Sequence, residues 1–223
     1  MRLRLTSDIA GRRACVCAGA LGWLGSVWRM DLRELDFYYD VGSPNAYLAW
    51  AALSEMGVEL RMRPVLIGGL FKLVGNQPPW MAFGDVPAKM EYLMVEIRRF
   101  VGHYGLERFQ MNPHFPVNTL LAMRVATAAE MEGVQSRSIG PLMRAMWEDG
   151  VDVSGRDELI AVLEAADLDG AHLVARAGEP EVKAALMAAT QACADRGVFG
   201  LPSWFGEDGE MYFGKDCVWM MAP

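Results

Sequence analysis

Cysteine is scarce in this chain: of 223 residues only Cys15, Cys17, Cys193 and Cys217 are cysteines. They form no C-x-x-C pair and no zinc-like spacing, which argues against a dithiol redox centre and a structural zinc site. Two cysteines in the body of the chain do not make a disulfide scaffold, so a reducing, cytoplasmic setting is expected. Basic charge is also thin. The first thirty residues hold five arginines and one aspartate, so a net charge of −7 for the whole chain leaves −11 on residues 31–223. Nucleic-acid and anionic-membrane partners need a basic face and are excluded as expectations. No internal repeat and no low-complexity tract occurs. The one apolar run, Ala14–Trp28, is too short and too rich in glycine to read as a membrane span. What the chain does have is apolar mass, 52% of its residues. That suits the core of one domain, or of one domain with a large insertion.

Arg2, Arg4, Arg12 and Arg13 ahead of the apolar run resemble the first two regions of a secretory signal, which would export the protein. No clean small-x-small cleavage site precedes Leu35. Residues 1–30 are therefore expected to be an over-extended start, with Met30 the true initiator, and they stand outside the fold reading.

From residue 35 the pattern is regular. Leu35–Asp40 reads as a strand that ends at the turn Val41-Gly42, and Asn45–Met56 as a helix stopped by Gly57. In Val58–Arg63, Val58, Leu60 and Met62 alternate with Glu59, Arg61 and Arg63, a strand period. Strand, helix and strand within thirty residues predict a parallel pair with a crossover helix. Gly68-Gly69, Gly75-Asn76 and Pro78-Pro79 mark loops around a short segment, Leu70–Val74. Helices are expected over Pro87–Tyr104, Thr119–Glu132, Ile139–Trp147, Asp157–Ala166 and Pro180–Arg196, with an irregular break at Asn112–Pro116. Then Ser203–Phe205 and Met211–Phe213 read as a hairpin around Gly206–Gly209. The expected class is α/β. A thioredoxin-like unit, residues 31–66 and 197–223, is interrupted by an all-helical insertion over residues 67–196.

Three places carry chemistry. Ser43-Pro44 opens the first helix directly after a strand and a tight turn. That is where a thioredoxin-fold redox enzyme carries its first cysteine. A helix N-terminus presents free N–H groups and partial positive charge, so it favours a thiolate. Serine cannot be that thiolate, so the sulfur would arrive with a ligand, and glutathione is the natural choice. Position alone fits a plain N-cap serine as well. The second place is Gly197-Val-Phe-Gly-Leu-Pro202, before a short strand. A cis peptide ahead of Pro202 would leave the N–H and C=O of Leu201 free for an extended peptide ligand; an ordinary trans turn is the alternative. The third is Phe213-Gly-Lys-Asp-Cys217, at the start of a last helix. There Asp216 is placed to accept from the α-amino group of glutathione, while helix amides take its carboxylate; a simple cap fits the spacing equally.

The segments DFYYDVGSPNAYLAW, PVLIGGLFKLVGNQPPW, AKMEYLMVEIRRF, NPHFPVNTLLAMR, GVFGLPSWF and YFGKD occur in that order between Leu35 and Asp216. Together they resemble the 2-hydroxychromene-2-carboxylate isomerase family, close to the kappa-class glutathione transferases of the DsbA-like thioredoxin superfamily. The resemblance implies bound glutathione, with Ser43 hydrogen-bonded to its sulfur, Leu201-Pro202 paired with its backbone, and Asp216 with Cys217 at its γ-glutamyl end. It implies that Asn76 and Lys89 line the glutathione or substrate cleft and that Lys89 suits a carboxylate. Tyr92, a turn beyond Lys89, fits packing better than catalysis, though its hydroxyl could reach a phenol. Met90, Leu93 and Ile97 are expected in the core. A small aromatic substrate and a homodimer are implied. Two departures stand out. Cys217 occupies a position where the family usually has arginine or serine. A final helix is implied beyond Pro223, of which Val218–Met221 is only a stub, so a truncated C-terminal helix is expected. The alternatives are a kappa-type transferase or peroxidase, a disulfide oxidoreductase, which Ser43 disfavours, and a non-catalytic binding module.

Overall fold

The computed structural model describes residues 35–206 and 209–221. The signal-like segment and Met30 lie outside the described residues. Strand β1 (Leu35–Tyr39) alternates buried and half-buried positions, with Leu35, Phe37 and Tyr39 in the core. Strand β2 (Leu60–Pro64) pairs with it in parallel, Leu35 opposite Leu60 and Phe37 opposite Met62. Helix α1 (Pro44–Glu55) makes the crossover. Strand β3 (Ser203–Phe205) lies antiparallel along the other side of β1, and β4 (Met211–Phe213) antiparallel to β3. The sheet order β2-β1-β3-β4 is the thioredoxin-like α/β sheet expected from the sequence.

Between β2 and β3 run α2 (Ile67–Val74), α3 (Pro79–Ala82), α4 (Pro87–Tyr104), α5 (Leu120–Met131), α6 (Gln135–Trp147), α7 (Arg156–Glu164), α8 (Gly170–Arg176) and α9 (Pro180–Asp195). Three of these correct the sequence reading. Gly68 and Gly69 lie inside α2 and not in a loop, α3 begins at Pro79 where a loop is expected, and α8 forms where no helix is expected. The last element is a short 3-10 helix, η1 (Lys215–Met221), where the start of an α-helix was expected; Val218 and Met221 are buried.

The two faces of the sheet are covered differently. Phe37, Met62 and Trp204 belong to the main core, into which α1 buries Ala46, Tyr47, Leu48, Ala49, Ala52 and Leu53. A helix apolar on most sides is a buried one, and α1 packs against η1 on one flank. Alanines 122, 126 and 129 let α5 approach α6, α8 and α9 closely. The other face holds a smaller cluster, Val65, Leu70, Cys193, Val198, Leu201 and Phe205, built by α2, α9 and the loop before β3.

Candidate active site

The turn between β1 and α1 is over-determined. Ser43 N–H donates to the Asp40 carbonyl at 3.0 Å and closes it. Asp40 is fully buried, and its carboxylate accepts from Gly42 N at 2.8 Å, Ile67 N at 2.9 Å and Thr119 Oγ1 at 3.0 Å. One side chain thus joins the turn to the starts of α2 and α5. Burial pushes the Asp40 carboxyl above its usual range, and the three donors oppose that shift. Trp147, at the end of α6, donates its indole N–H to the Val41 carbonyl at 2.7 Å. Gly42 is required here, because a Cβ would stand 2.5 Å from Thr119 Cγ2. Asp40 had a weak sequence signal, an acid at the end of an apolar strand. Thr119 and Trp147 had none.

Ser43 caps α1 from an extended backbone (φ −90°, ψ 114°), with Pro44 in the first turn. Its Oγ accepts from Ala46 N at 3.2 Å and donates to the Leu201 carbonyl at 3.0 Å. The plain cap reading therefore describes only half of what Ser43 does. Its hydroxyl also reaches across to a loop 158 residues away.

That loop holds a cis peptide between Leu201 and Pro202. The expectation that both backbone groups of Leu201 are free needs correction, because the carbonyl already takes the Ser43 hydroxyl. The Leu201 N–H finds no acceptor among the described residues, although Leu201 is 5% exposed. Asn76, just past α2, donates to the Phe199 carbonyl of the same loop at 2.8 Å. Gly214 N–H donates to the Pro202 carbonyl at 2.9 Å, which ties in the β4–η1 junction. Asp216 and Cys217 follow it. Asp216 pairs with Lys215, and the Cys217 thiol donates to the Phe213 carbonyl at 3.2 Å.

Lys89 and Tyr92 are not hydrogen-bonded to this set. The Lys89 ammonium lies 3.2 Å from the centroid of the Phe83 ring, and Tyr92 is half exposed. Met90 and Leu93 are only partly buried, so of the α4 residues expected in the core Ile97 alone is buried. No group of three or more metal-ligating side chains occurs among the described residues.

A comparison with family models matches residues 34–222 to the DsbA-like thioredoxin domain. The chain belongs to this family. Rat glutathione S-transferase kappa 1 is 30% identical over 206 residues, 85% of this chain and 89% of the relative. The 2-hydroxychromene-2-carboxylate isomerase of Pseudomonas putida is 26% identical over 197 residues, 84% and 91% of the two chains. A solved 2-hydroxychromene-2-carboxylate isomerase superposes with a TM-score of 0.71 at 25% identity, over 84% of this chain and 92% of that one. A probable DsbA oxidoreductase from Streptomyces coelicolor, with a TM-score of 0.61 and 15% identity, shares the fold.

In this DsbA-like chain the α1 N-terminus has no thiol of its own. A C-x-x-C pair would need sulfur at positions 43 and 46, which are serine and a fully buried alanine. Of the other cysteines described, Cys193 is buried and its thiol is pushed up to about 12 by that burial. Cys217 is tied to its own turn. What the site offers instead is a hydroxyl, a free amide, an exposed carboxylate and a helix N-terminus around one loop.

Proposed function

We propose that this protein is a glutathione-dependent isomerase of an aromatic-degradation intermediate, of the 2-hydroxychromene-2-carboxylate to trans-o-hydroxybenzylidenepyruvate type. The observation that carries the reading is the Ser43 hydroxyl at the α1 N-terminus, facing the cis-proline loop at 3.0 Å from the Leu201 carbonyl. The N–H of buried Leu201, which finds no acceptor among the described residues, is the group an extended tripeptide would satisfy. Asn76 fixes the loop, Pro202 shapes it, and Asp216 with Cys217 closes the γ-glutamyl end. Lys89 and Tyr92 stand on the substrate side. On this reading residues 31–66 and 197–223 hold glutathione, and the helical segment 67–196 encloses the aromatic substrate.

Magnitudes decide what Ser43 does. A free thiol with a pKa near ~8.5 is only about 3% ionised at neutral pH, and lowering it by roughly 2 units takes about 2.7 kcal/mol. A helix N-terminus supplies about 0.3–1 kcal/mol, up to ~2 when partly buried. A hydrogen bond to an anion adds about 1.5–3 kcal/mol. The helix end alone falls short; the helix end and the Ser43 hydroxyl together suffice. Ser43 therefore acts as a donor. Its O–H stays intact and redirects its hydrogen bond from the neutral Leu201 carbonyl to a thiolate, because charge-assisted hydrogen bonds are the stronger ones. Bound glutathione supplies the nucleophile, which adds to the conjugated substrate, leaves a single bond free to rotate, and is eliminated unchanged.

Calorimetric titration with glutathione, followed with thiolate absorbance, tests this. Micromolar binding with a thiolate signal that Ser43→Ala abolishes is expected; no binding by the folded protein overturns it. The higher identity to kappa transferases favours a second reading, transfer or peroxidase activity at the same site. Net consumption of glutathione with a generic electrophile would establish transfer, and turnover without consumption the isomerase. The free cysteines Cys193 and Cys217 support a cytoplasmic location, and among the described residues no helix is long and apolar enough to cross a membrane. A homodimer is part of the proposal.

A further inference from the structure

A second concavity lies away from Ser43, where the sheet order ends at β2. An open cleft of about 580 Å³ runs between the C-terminal half of α1, β2 and α6. Its size falls in the range of small-molecule sites, roughly 300–1,000 Å³. None of its lining residues belongs to the set around Ser43 and the cis-proline loop. Trp50 from α1, with Val58, Leu60 and Met62 from β2 and its approach, makes one apolar side. Helix α6 makes the other. Two arginines, Arg137 and Arg144, and no acid line the cleft, in a chain whose net charge is −7. The two are not equivalent. Arg137 donates to the Asp167 carbonyl at 2.7 Å. The guanidinium of half-buried Arg144, two turns further along α6, has no hydrogen bond or ion pair among the described residues. The acid one turn beyond it is already taken, because Glu148 accepts from the Tyr47 hydroxyl at 2.7 Å and pairs with Arg108 Nε at 2.9 Å. Gly140 makes room for the Arg144 side chain, since a Cβ there would stand 3.0 Å from its Nη1. Glycine is a poor helix former, and a partly desolvated cation with five donors and no acceptor is costly. Packing alone accounts for neither choice.

We propose that this cleft is a binding site for a planar aromatic carboxylate, with Arg144 holding the carboxylate and Trp50 and Met62 covering the ring. The proposal is independent of the glutathione reading. The sign of the ligand follows from the lining, which offers cations and no acid. Its head group follows from the guanidinium fork, which matches the two oxygens of a carboxylate. Its body follows from the apolar side opposite. An indole ring favours a flat ring over a flexible chain, because aromatic pairs gain from offset or edge-on contact and methionine sulfur adds to it at the ring edge. A phosphate fits less well, since the apolar side would strip water from its remaining charged oxygens.

Calorimetric titration of the full chain with 2-naphthoate, 2-naphthamide and octanoate tests this. Wild type is expected to prefer 2-naphthoate to the neutral amide by roughly tenfold, the size of one charge-assisted contact, and to bind octanoate more weakly. Arg144→Met brings the ratio of acid to amide close to one and leaves the thermal midpoint unchanged. Trp50→Leu weakens 2-naphthoate and leaves octanoate as it was. Gly140→Leu drives a side chain into the cleft and abolishes the binding by a second route. Ser43→Ala leaves all three ligands unaffected. A preference for the acid that survives Arg144→Met or Gly140→Leu, or that is lost in Ser43→Ala, would assign the binding to the Ser43 site and overturn the proposal. Wild type that binds octanoate as tightly as 2-naphthoate, or binds neither, overturns it as well.

Discussion

A carboxylate without solvent around it persists only where donors surround it, and Asp40 has three, the amides of Gly42 and Ile67 and the hydroxyl of Thr119. Asparagine in its place turns at least one N–H toward another N–H. Asp40→Asn is expected to cost about 1–3 kcal/mol, read from urea unfolding at pH 7. The pH dependence has a definite sign. Burial raises the folded carboxyl above its unfolded value, so in the window between the two the folded state binds the proton more tightly. Stability from this group therefore grows as pH falls through the folded pKa toward ~3.8, and is lost as pH rises. The deficit of Asp40→Asn is expected to widen between pH 7 and pH 4; a deficit that narrows would mean that the donors outweigh burial. At this scale the sequence was legible where chemistry is local. Ser43 stands out because proline follows it and a strand precedes it. The partners of Asp40 do not, since Ile67 and Thr119 meet it only through the fold.

Elements with marked ends were readable, and those whose ends depend on tertiary packing were not. α4 starts at Pro87 and stops before Gly105, which is left-handed at φ 66°, and its span matches the pattern. α6 begins four residues before the expected Ile139, because Val134 caps it with no side-chain hydrogen bond to betray the start. α8 has a cap, Asp169 accepting from His172 N at 2.8 Å, but a seven-residue helix leaves too short a periodic signal. Gly68 and Gly69 are helical because Leu70 behind them is buried in the smaller core, which outweighs the low helix propensity of glycine. In the irregular segment between α4 and α5, Gln110 N–H donates to the Trp147 carbonyl at 2.8 Å, and Asn112 adds three bonds. Asn112 Nδ2 donates to the carbonyls of Met146 and Val151, each at 2.8 Å, and its Oδ1 accepts from His114 N at 2.8 Å. This anchors the segment to the end of α6, from which Trp147 reaches the turn between β1 and α1. Asn112→Ala strands three backbone groups and is expected to cost about 3 kcal/mol. At roughly 2–4 °C per kcal/mol for a chain of this size, the thermal midpoint should drop by about 6–12 °C. A shift under ~2 °C would mean that water replaces the asparagine.

The molecule as a whole leaves one amphipathic stripe unexplained by its own core. The helical period of Met90, Leu93, Met94, Ile97 and Phe100 says that one face of α4 is covered. It cannot say whether the cover comes from the same chain or from another copy. In the single chain the C-terminal half of that face is satisfied, with Ile97 and Phe100 buried, while Trp80, Met81, Val86 and Met94 remain exposed on α3, the loop after it and the first half of α4. Scattered apolar residues need no partner, but several along one helix and the turn before it are costly to leave in water. The net charge of −7 keeps copies apart at long range, so association has to come from apolar contact at this face. Sedimentation equilibrium is expected to give a dimer at micromolar concentration, and the double substitution Met81→Glu with Met94→Glu to give a monomer with an unchanged thermal transition. Each buried methionine side chain contributes about 1.5–3 kcal/mol, and each copy of the interface carries both positions. The loss should therefore exceed tenfold in dimer affinity. A wild-type monomer at these concentrations, or a dimer indifferent to both charges, would remove α4 from the interface and leave its exposed face to the aromatic substrate.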